Sequence, residues 1–228
     1  MASAPKADQL PLHLPLQAAR ARDDLVISPA NAKAIEFMDS WPEWNTSIAI
    51  LAGPVGAGKT HLAHIWAARA EALFLQPGSR GEDFDLINAG NVVVENLAQG
   101  NFSETWLFHL INAVKSAGSS LLLTSRRWPG EWGVSLPDLQ SRLKTVHLME
   151  LGEPDDLLLT GVLVKLFSDR QLNVDQSVID YLVLRMERSL ASAQKLVEHL
   201  DELSLAQKRA VTRPLAAEAL RMQGIISD

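Results

Sequence analysis

The sequence contains no cysteine, a single tyrosine and no long uninterrupted apolar run. The absence of cysteine excludes a disulfide framework, thiol catalysis and a zinc site built on thiolates, and it is typical of a reducing compartment. No stretch approaches the roughly 18 consecutive apolar residues of a membrane-spanning helix. The first ten residues, MASAPKADQL, also lack the basic start and apolar core of a secretory signal. We therefore expect a cytoplasmic protein without a membrane segment.

An excess of basic residues is missing as well. The chain has 21 Lys and Arg against 27 Asp and Glu, which gives a net charge of −6. No overall basic field would concentrate nucleic acid around it, so any work near DNA would need a partner. What the chain does have is apolar content: 47% of its 228 residues are hydrophobic. That is enough for one main core and a smaller satellite domain.

Residues 47–75 predict a strand, a glycine-rich loop and a helix, in that order. The loop reads GPVGAGKT and matches the spacing G-x-x-x-x-G-K-[ST]. Its glycines let backbone N–H groups converge on a phosphate, and the following helix N-terminus adds partial positive charge. The alternative is a chance glycine-rich turn before a helix. We predict a nucleotide-binding loop made of Gly53, Pro54, Val55, Gly56, Ala57, Gly58, Lys59 and Thr60, followed by His61.

Two side chains of this loop carry predicted chemistry. Lys59 would reach the β and γ phosphates of a nucleotide as a point charge, and the hydroxyl of Thr60 would bind Mg²⁺. His61 and His64 lie three residues apart on the predicted helix and could be read as a metal pair. No third ligand accompanies them, so we interpret them as ordinary helix-face residues.

Strands and helices alternate after this loop, which predicts a parallel α/β sheet flanked by helices. The strand segments are EALFLQPG, VVVEN, SSLLLTSR and TVHLMEL. Ligands of such sheets bind at the carboxyl ends of the strands, so Glu95, Thr124 and Ser125 should lie near the phosphate loop. We place the nucleotide-binding α/β domain at residues 21–152.

The remainder, residues 153–228, has a helical pattern. Leu, Val and Ile recur at spacings of three and four residues over about 154–170, 175–187, 189–208 and 212–223. These segments predict a small all-α domain of four helices that follows the sheet domain as a lid.

Four segments in this order resemble the AAA+ module of the DnaA family: GPVGAGKTHLAHIWA, LLLTSRRWP, LPDLQSRLKTV and RMERSLASAQKLVEHLD. The resemblance covers roughly residues 9–223 and is closer to the short Hda-type relatives, which promote the regulatory inactivation of DnaA. It implies ATP or ADP with Mg²⁺ as ligands and DnaA as a partner. Because no basic helix-turn-helix segment follows the predicted lid, we expect no sequence-specific DNA binding. Self-association is left open.

The strand VVVEN ends in Glu95 and Asn96, where AAA+ ATPases normally carry two acids. In the family the first acid organises magnesium and the second polarises the attacking water. An amide cannot accept a proton at neutral pH, so Asn96 removes general-base assistance that is commonly worth ~10² to 10⁴ in rate. We expect nucleotide binding with weak hydrolysis at most, and the resemblance gives Thr124 and Ser125 the sensor 1 position.

The resemblance also implies two arginine roles. Arg142 matches the arginine finger, which reaches the γ-phosphate bound by an adjacent subunit and is worth ~10³ to 10⁵ where it is well placed. From the residue pattern alone, Arg142 could equally be a surface residue paired with Asp138 four positions earlier. Arg188 matches the lid arginine called sensor 2, and Arg185, one turn earlier, is the alternative.

Two segments near the amino terminus complete the expected sites. Residues 23–37 resemble the segment that covers the adenine, with Val26, Ile27 and Asn31 as contacts; an ordinary helix entry capped by Ser28 is the alternative. The stretch QLPLHLP, in a flexible tail at residues 1–20, resembles a peptide that docks on the replicative sliding clamp, the β subunit of DNA polymerase III. Its anchors would be Gln9, Leu10, Leu12 and Leu14. An edge strand or a disordered leader is the alternative.

Three functions are consistent with the sequence. The first is a regulator tethered to the clamp that stimulates hydrolysis of DnaA-bound ATP. The second is an autonomous AAA+ ATPase that acts as a helicase loader or an initiator-like protein. The third, a small-molecule kinase with the same phosphate loop, is weakest because it has no role for the lid or for Arg142.

Overall fold

The computed structural model describes Arg22 and residues 25–78, 90–98 and 100–225. The predicted tail and its clamp-binding stretch therefore lie outside the described residues. None of the described helices is both long enough and apolar enough to cross a membrane.

A five-stranded parallel sheet forms the centre of the first domain, with strand order β2-β3-β4-β1-β5. The strands are β1 Ile48–Ala52, β2 Leu73–Leu75, β3 Val92–Leu97, β4 Leu121–Ser125 and β5 His147–Glu150. β1 and β4 are buried along their whole length, as expected for central strands covered on both faces. The predicted parallel α/β sheet is confirmed.

Helices cover both faces of this sheet because successive strand residues point to opposite sides. The helices are α1 Ala32–Asp39, α2 Lys59–Ala70, α3 Glu104–Ala117 and α4 Pro137–Leu143. Ile48 and Ile50 of β1 face the apolar cluster of α3 and α4, whereas Ala49 and Leu51 face that of α1 and α2.

The second domain is the predicted helical lid. Its helices are α5 Asp156–Asp169, α6 Gln176–Val183, α7 Leu190–Gln207 and α8 Arg213–Met222. They enclose a core of their own, which includes Leu163, Leu182 and Leu200. The four predicted helices are confirmed, each beginning and ending within a few residues of its pattern.

Candidate functional site

The glycine-rich loop connects β1 to α2 at the carboxyl edge of the sheet. The N–H of Gly53 donates to the carbonyl of Ser125 at 3.2 Å, which ties the start of the loop to the end of β4. A Cβ on Gly53 would lie 2.4 Å from the carbonyl oxygen of Leu151, so only glycine fits this close approach. The loop is therefore fixed between the strands on both sides of β1.

Lys59 is buried at the start of α2. Its Nζ donates to the carbonyl oxygens of Gly53 at 2.7 Å and Pro54 at 2.6 Å, so the ammonium lies over the loop. Burial, assisted by the charge of Arg126, holds the pKa of Lys59 below its usual value. Thr60, the next residue of α2, is exposed. The roles of Lys59 at the phosphates and of Thr60 at magnesium stay predictions.

β3 and β4 bring the predicted acid, amide and sensor residues together. The N–H of Asn96 donates to Oγ1 of Thr124 at 3.0 Å. The pairing of β3 with β4 shifts register between Val94 and Leu97, and Asn96 within this irregularity has φ 58°. Asparagine tolerates this left-handed conformation better than most residues. At the carboxyl edge of the sheet, Asn96 is therefore bound to Thr124, and the phosphate loop is bound to the neighbouring Ser125.

Glu95 has a carboxylate oxygen, Oε1, that is buried without a hydrogen-bond partner among the described residues. A buried charged oxygen in this state is costly, and a cation or a donor would relieve the cost. Glu95 and Asn96 also line a cleft of about 220 Å³ on the β2 side, which Asn101 and the end of β2 complete. No residue of the phosphate loop lines that cleft.

The predicted magnesium ligands are Thr60, an exposed residue, and Glu95, whose Oε1 has no partner among the described residues; hydroxyl and carboxylate oxygens are the hard ligands that magnesium prefers. The described part of the chain holds no group of three or more His, Asp or Glu residues placed to bind a metal ion. Phosphate oxygens and water would have to complete the coordination, as is usual for magnesium at nucleotide sites.

Ser125 uses its hydroxyl inside the fold. Its Oγ donates to the carbonyl of Leu97 at 2.7 Å and accepts from Nε1 of Trp132 at 3.1 Å and the N–H of Arg127 at 3.2 Å. Of the two predicted sensor 1 residues, Ser125 thus holds β3, β4 and the following loop together. Thr124 is the one whose hydroxyl contacts the backbone of Asn96.

Residues 26–31 form a turn that the side chain of Asn31 organises. Its Oδ1 accepts from the N–H of Ser28 at 2.8 Å, and its Nδ2 donates to the carbonyl of Val26 at 2.9 Å. The helix begins after this turn, at Ala32, rather than at the predicted Ser28 entry. Ile27 is 50% exposed, whereas Val26 packs so closely on the lid that a Cβ at Gly161 would lie 2.6 Å from it.

Asp155 joins this turn to the lid. It caps α5 by accepting from the N–H of Leu158 at 2.8 Å, and it also accepts from the N–H of Ala30 at 3.3 Å. Burial alone would raise the pKa of Asp155, but these bonds, a bond from Ser28 and the charge of Arg188 hold that pKa below its usual value. Asp155 is therefore an ionised link between the two domains.

The lid meets the phosphate loop through the start of α7. The N–H of Leu190 donates to the carbonyl of Gly56 at 2.9 Å, and a Cβ on Gly56 would lie 2.0 Å from Oγ of Ser189. Arg188 points elsewhere: its Nη2 binds Asp156 at 2.7 Å and its Nε donates to the carbonyl of Pro154 at 3.2 Å.

Arg185, the alternative lid arginine, has its guanidinium 4.0 Å from the centre of the Tyr181 ring. In this arrangement, neither Arg185 nor Arg188 has a recorded hydrogen bond or ion pair with the described residues of the phosphate loop. The assignment of the lid arginine stays a prediction.

Arg142 lies in the last turn of α4 and is partly exposed. Its guanidinium carbon stands 4.9 Å from the centre of the Phe108 ring, which is within the range of a cation–π contact. The side chain thus packs on α3, and no ion pair joins it to Asp138, the partner that the surface-residue alternative required. It is supported from one side and not enclosed by the fold.

α3 also holds the other end of α4. The carboxylate of Glu104 accepts from the N–H of Ser135 at 2.9 Å, its hydroxyl at 3.0 Å and the N–H of Leu136 at 2.6 Å. Glu104 and Phe108 are four residues apart, so they lie on one face of the helix. Sequence reasoning missed both residues, because nothing in the pattern says that α4 crosses this face.

One histidine of α2 makes an aromatic contact. The ring of His64 packs against that of Phe74, with centroids 4.6 Å apart. The interpretation of His61 and His64 as helix-face residues stays a prediction.

A parallel sheet with a phosphate loop after its first strand and a helical lid beyond its last defines the AAA+ class. Residues 160–220 match the family model of the Hda lid domain. The lid match and the DnaA-like fold support an Hda-like, DnaA-related AAA+ protein, in agreement with the resemblance of the sequence segments.

Solved structures of DnaA share this fold, and one curated protein is similar in sequence. Domain III of the replication initiation protein DnaA from Thermotoga maritima superposes with a TM-score of 0.75 at 18% identity, covering 94% of this chain and 100% of that one. AMPPCP-bound DnaA from Aquifex aeolicus superposes with a TM-score of 0.70 at 18% identity, covering 89% of this chain and 68% of the other. A protein of Haemophilus influenzae is 27% identical over 190 residues, 75% of this chain and 80% of its own.

Proposed function

We propose that this protein is a DnaA-related regulator of replication that binds an adenine nucleotide and lends Arg142 to the ATP site of DnaA. The observation that carries the proposal is the partly exposed guanidinium of Arg142, supported on the ring of Phe108. A cation held in this way at a surface can enter a neighbouring molecule's site without leaving a buried charge behind.

The nucleotide would bind at the phosphate loop. The ammonium of Lys59 over the loop and the exposed Thr60 beside it support phosphate and magnesium binding there, and DnaA from Aquifex aeolicus, which has the same fold, was solved with AMPPCP bound. Val26, Ile27 and Asn31 would form the adenine side, with Asn31 shaping the turn rather than offering free polar atoms. Either ATP or ADP satisfies this geometry.

The bound nucleotide would hold the shape of the protein rather than fuel it. Asn96 replaces the base of the second acid position, so the water that attacks the γ-phosphate has no strong acceptor there. On DnaA, the guanidinium of Arg142 would neutralise the charge that develops on the transferring phosphoryl group. Hydrolysis would then occur on the partner, and this chain would act as its activator.

Phosphate release tests the finger. We expect this protein to stimulate hydrolysis by DnaA in the presence of DNA-loaded clamp, and Arg142→Ala to reduce the stimulation by ~10³. Lys144→Ala is the matched control, because Lys144 is an exposed cation at the end of the same helix. Equal stimulation by Arg142→Ala and Lys144→Ala would reject the finger.

Docking on the clamp is proposed from residues 9–15 alone. Changing Gln9 and Leu10 to alanine should abolish retention of the protein on immobilised sliding clamp and leave nucleotide binding intact. Gln17→Ala, in the same tail, should not affect retention. If the double variant is retained as well as the wild type, the peptide is not the docking element.

An autonomous ATPase is the second candidate, and the unpartnered Oε1 of Glu95 favours it because that oxygen suits a magnesium ion. This candidate predicts substantial phosphate release by the purified chain alone, unaffected by Arg142→Ala. The regulator predicts little release without DnaA.

A further inference from the structure

Arg126 emerges beside the phosphate loop at the end of β4. Ser125, the residue before it, lies opposite Ala52 of β1 and accepts the N–H of Gly53 at 3.2 Å. The backbone of Arg126 is therefore next to the first two residues of the loop, Gly53 and Pro54. These are the residues whose carbonyl oxygens hold the ammonium of Lys59.

The charge of Arg126 acts on the ammonium of Lys59. After burial itself, the charge of Arg126 is the cause of the lowered pKa of Lys59 among the described residues. Arg126 is exposed, and no described carboxylate forms an ion pair with it. Glu95, at the end of β3, keeps Oε1 without a hydrogen-bond partner among the described residues.

Two like charges at one loop repel each other. An anion that binds both would remove this cost and gain two charge-assisted contacts. A polyphosphate chain is the class of ligand that the loop, its glycines and the N-terminus of α2 already suit.

Arg127 provides an internal comparison. It is equally exposed and adjacent in sequence, but its charge makes no contribution at Lys59. Its backbone is bound to the loop that follows β4: its N–H donates to Oγ of Ser125, and its carbonyl accepts from Nε1 of Trp132 at 3.2 Å.

We infer that Arg126 is a phosphate-binding residue of the nucleotide site, acting in cis with Lys59 on the phosphate chain of the bound nucleotide. This assignment rests on the proposed nucleotide function and adds to it a second cation, which the loop spacing does not contain. It also gives the site a positive group at the end of β4, next to Thr124.

Titration with fluorescently labelled ADP and ATP tests the assignment. We expect Arg126→Gln to raise the Kd about tenfold, the loss of one charge-assisted contact, and Arg126→Lys to recover part of the affinity. Arg127→Gln should change the Kd less than twofold. Inorganic tripolyphosphate should compete with the nucleotide, and Arg126→Gln should weaken that competition too. The thermal midpoint of the exposed variants should match that of the wild type.

The outcomes separate this assignment from the proposed function. If the wild type binds nucleotide, Lys59→Ala loses binding, and Arg126→Gln and Arg127→Gln have the same Kd, then the role of Arg126 is wrong and the nucleotide function stands. If the wild type binds neither nucleotide nor tripolyphosphate, the nucleotide function and the assignment both fall.

Discussion

Asn96 combines two properties at one residue: a neutral side chain where a base is expected, and a left-handed backbone with φ 58°. The conformation follows from the register shift between β3 and β4, which turns the chain just before Leu97. Asparagine, aspartate and glycine are the residues that accept it at low cost. A carboxylate could therefore be restored here without distorting the strand.

Asn96→Asp should raise the intrinsic ATP turnover of the isolated protein by about 10², because the new carboxylate can accept a proton from water. Phosphate release under saturating ATP measures it. Asn96→Gly is the control, since glycine keeps the backbone conformation and adds no base. No rise in Asn96→Asp, or an equal rise in Asn96→Gly, would show that residue 96 does not limit hydrolysis.

At the residue scale, the sequence predicted which residues lie at the site better than it predicted their contacts. GPVGAGKT fixed the positions of Lys59 and Thr60, because their spacing is set by the loop itself. The sequence could not predict that the hydroxyl of Ser125 forms hydrogen bonds with Leu97 and Trp132, because those bonds join segments far apart in the chain. Arg142 illustrates both sides: its position was predicted, but its contact with Phe108 was not.

At the scale of the element, α3 positions α4 at two points. Glu104 accepts hydrogen bonds from the residues before α4, and the ring of Phe108 contacts Arg142 near the end of α4. Hydrogen bonds from the backbone of Ser135 and Leu136, and then from the hydroxyl of Ser135, hold the pKa of Glu104 below its usual value. The carboxylate form is thus the one that fastens the two helices.

Glu104→Gln should loosen the start of α4. We expect faster amide hydrogen exchange at Ser135 and Leu136, because the amide oxygen of glutamine is a weaker acceptor than a carboxylate. Exchange followed by mass spectrometry measures the change, with Glu198→Gln, an exposed lid residue, as control. Unchanged protection at both amides would mean that Glu104 does not hold the segment.

The same bond has a defined pH dependence. Since the folded pKa of Glu104 is lowered, its contribution to stability is present above the unfolded value of about 4.3 and is lost as the pH falls through the lower folded pKa. The wild type should therefore lose protection of these amides at acid pH, and Glu104→Gln should be insensitive over that window.

For the whole molecule, the decisive contact is the one between lid and loop. α7 begins against Gly56, with the N–H of Leu190 on its carbonyl and Ser189 within van der Waals distance. The apolar periodicity of the sequence predicted the helices on either side of this contact, because each helix buries one stripe of apolar side chains. The sequence did not predict how the two domains pack together, because that packing depends on a glycine in one domain and a helix N-terminus in the other.

Gly56→Ala should displace the lid. The new Cβ would lie 2.0 Å from Oγ of Ser189, and at φ 78° alanine itself is strained by about 1 kcal/mol. We expect faster exchange at the Leu190 amide and weaker nucleotide binding. Adding Ser189→Gly should restore part of both, while Gly130→Ala, with nothing within 4 Å of its Cβ, should be neutral. An undisturbed Leu190 amide in Gly56→Ala would show that the lid does not rest on the loop.

We propose that this chain keeps its own nucleotide and acts on the nucleotide of another molecule. The most direct test is to load DnaA with labelled ATP and this protein with unlabelled nucleotide, and to mix them with DNA-loaded clamp. Release of labelled phosphate is then followed. A second experiment, with the label on this protein and unlabelled ATP on DnaA, completes the test. We predict labelled phosphate when the label starts on DnaA, and none when it starts on this chain. Release of label from this chain, with DnaA-bound ATP left intact, would contradict the account.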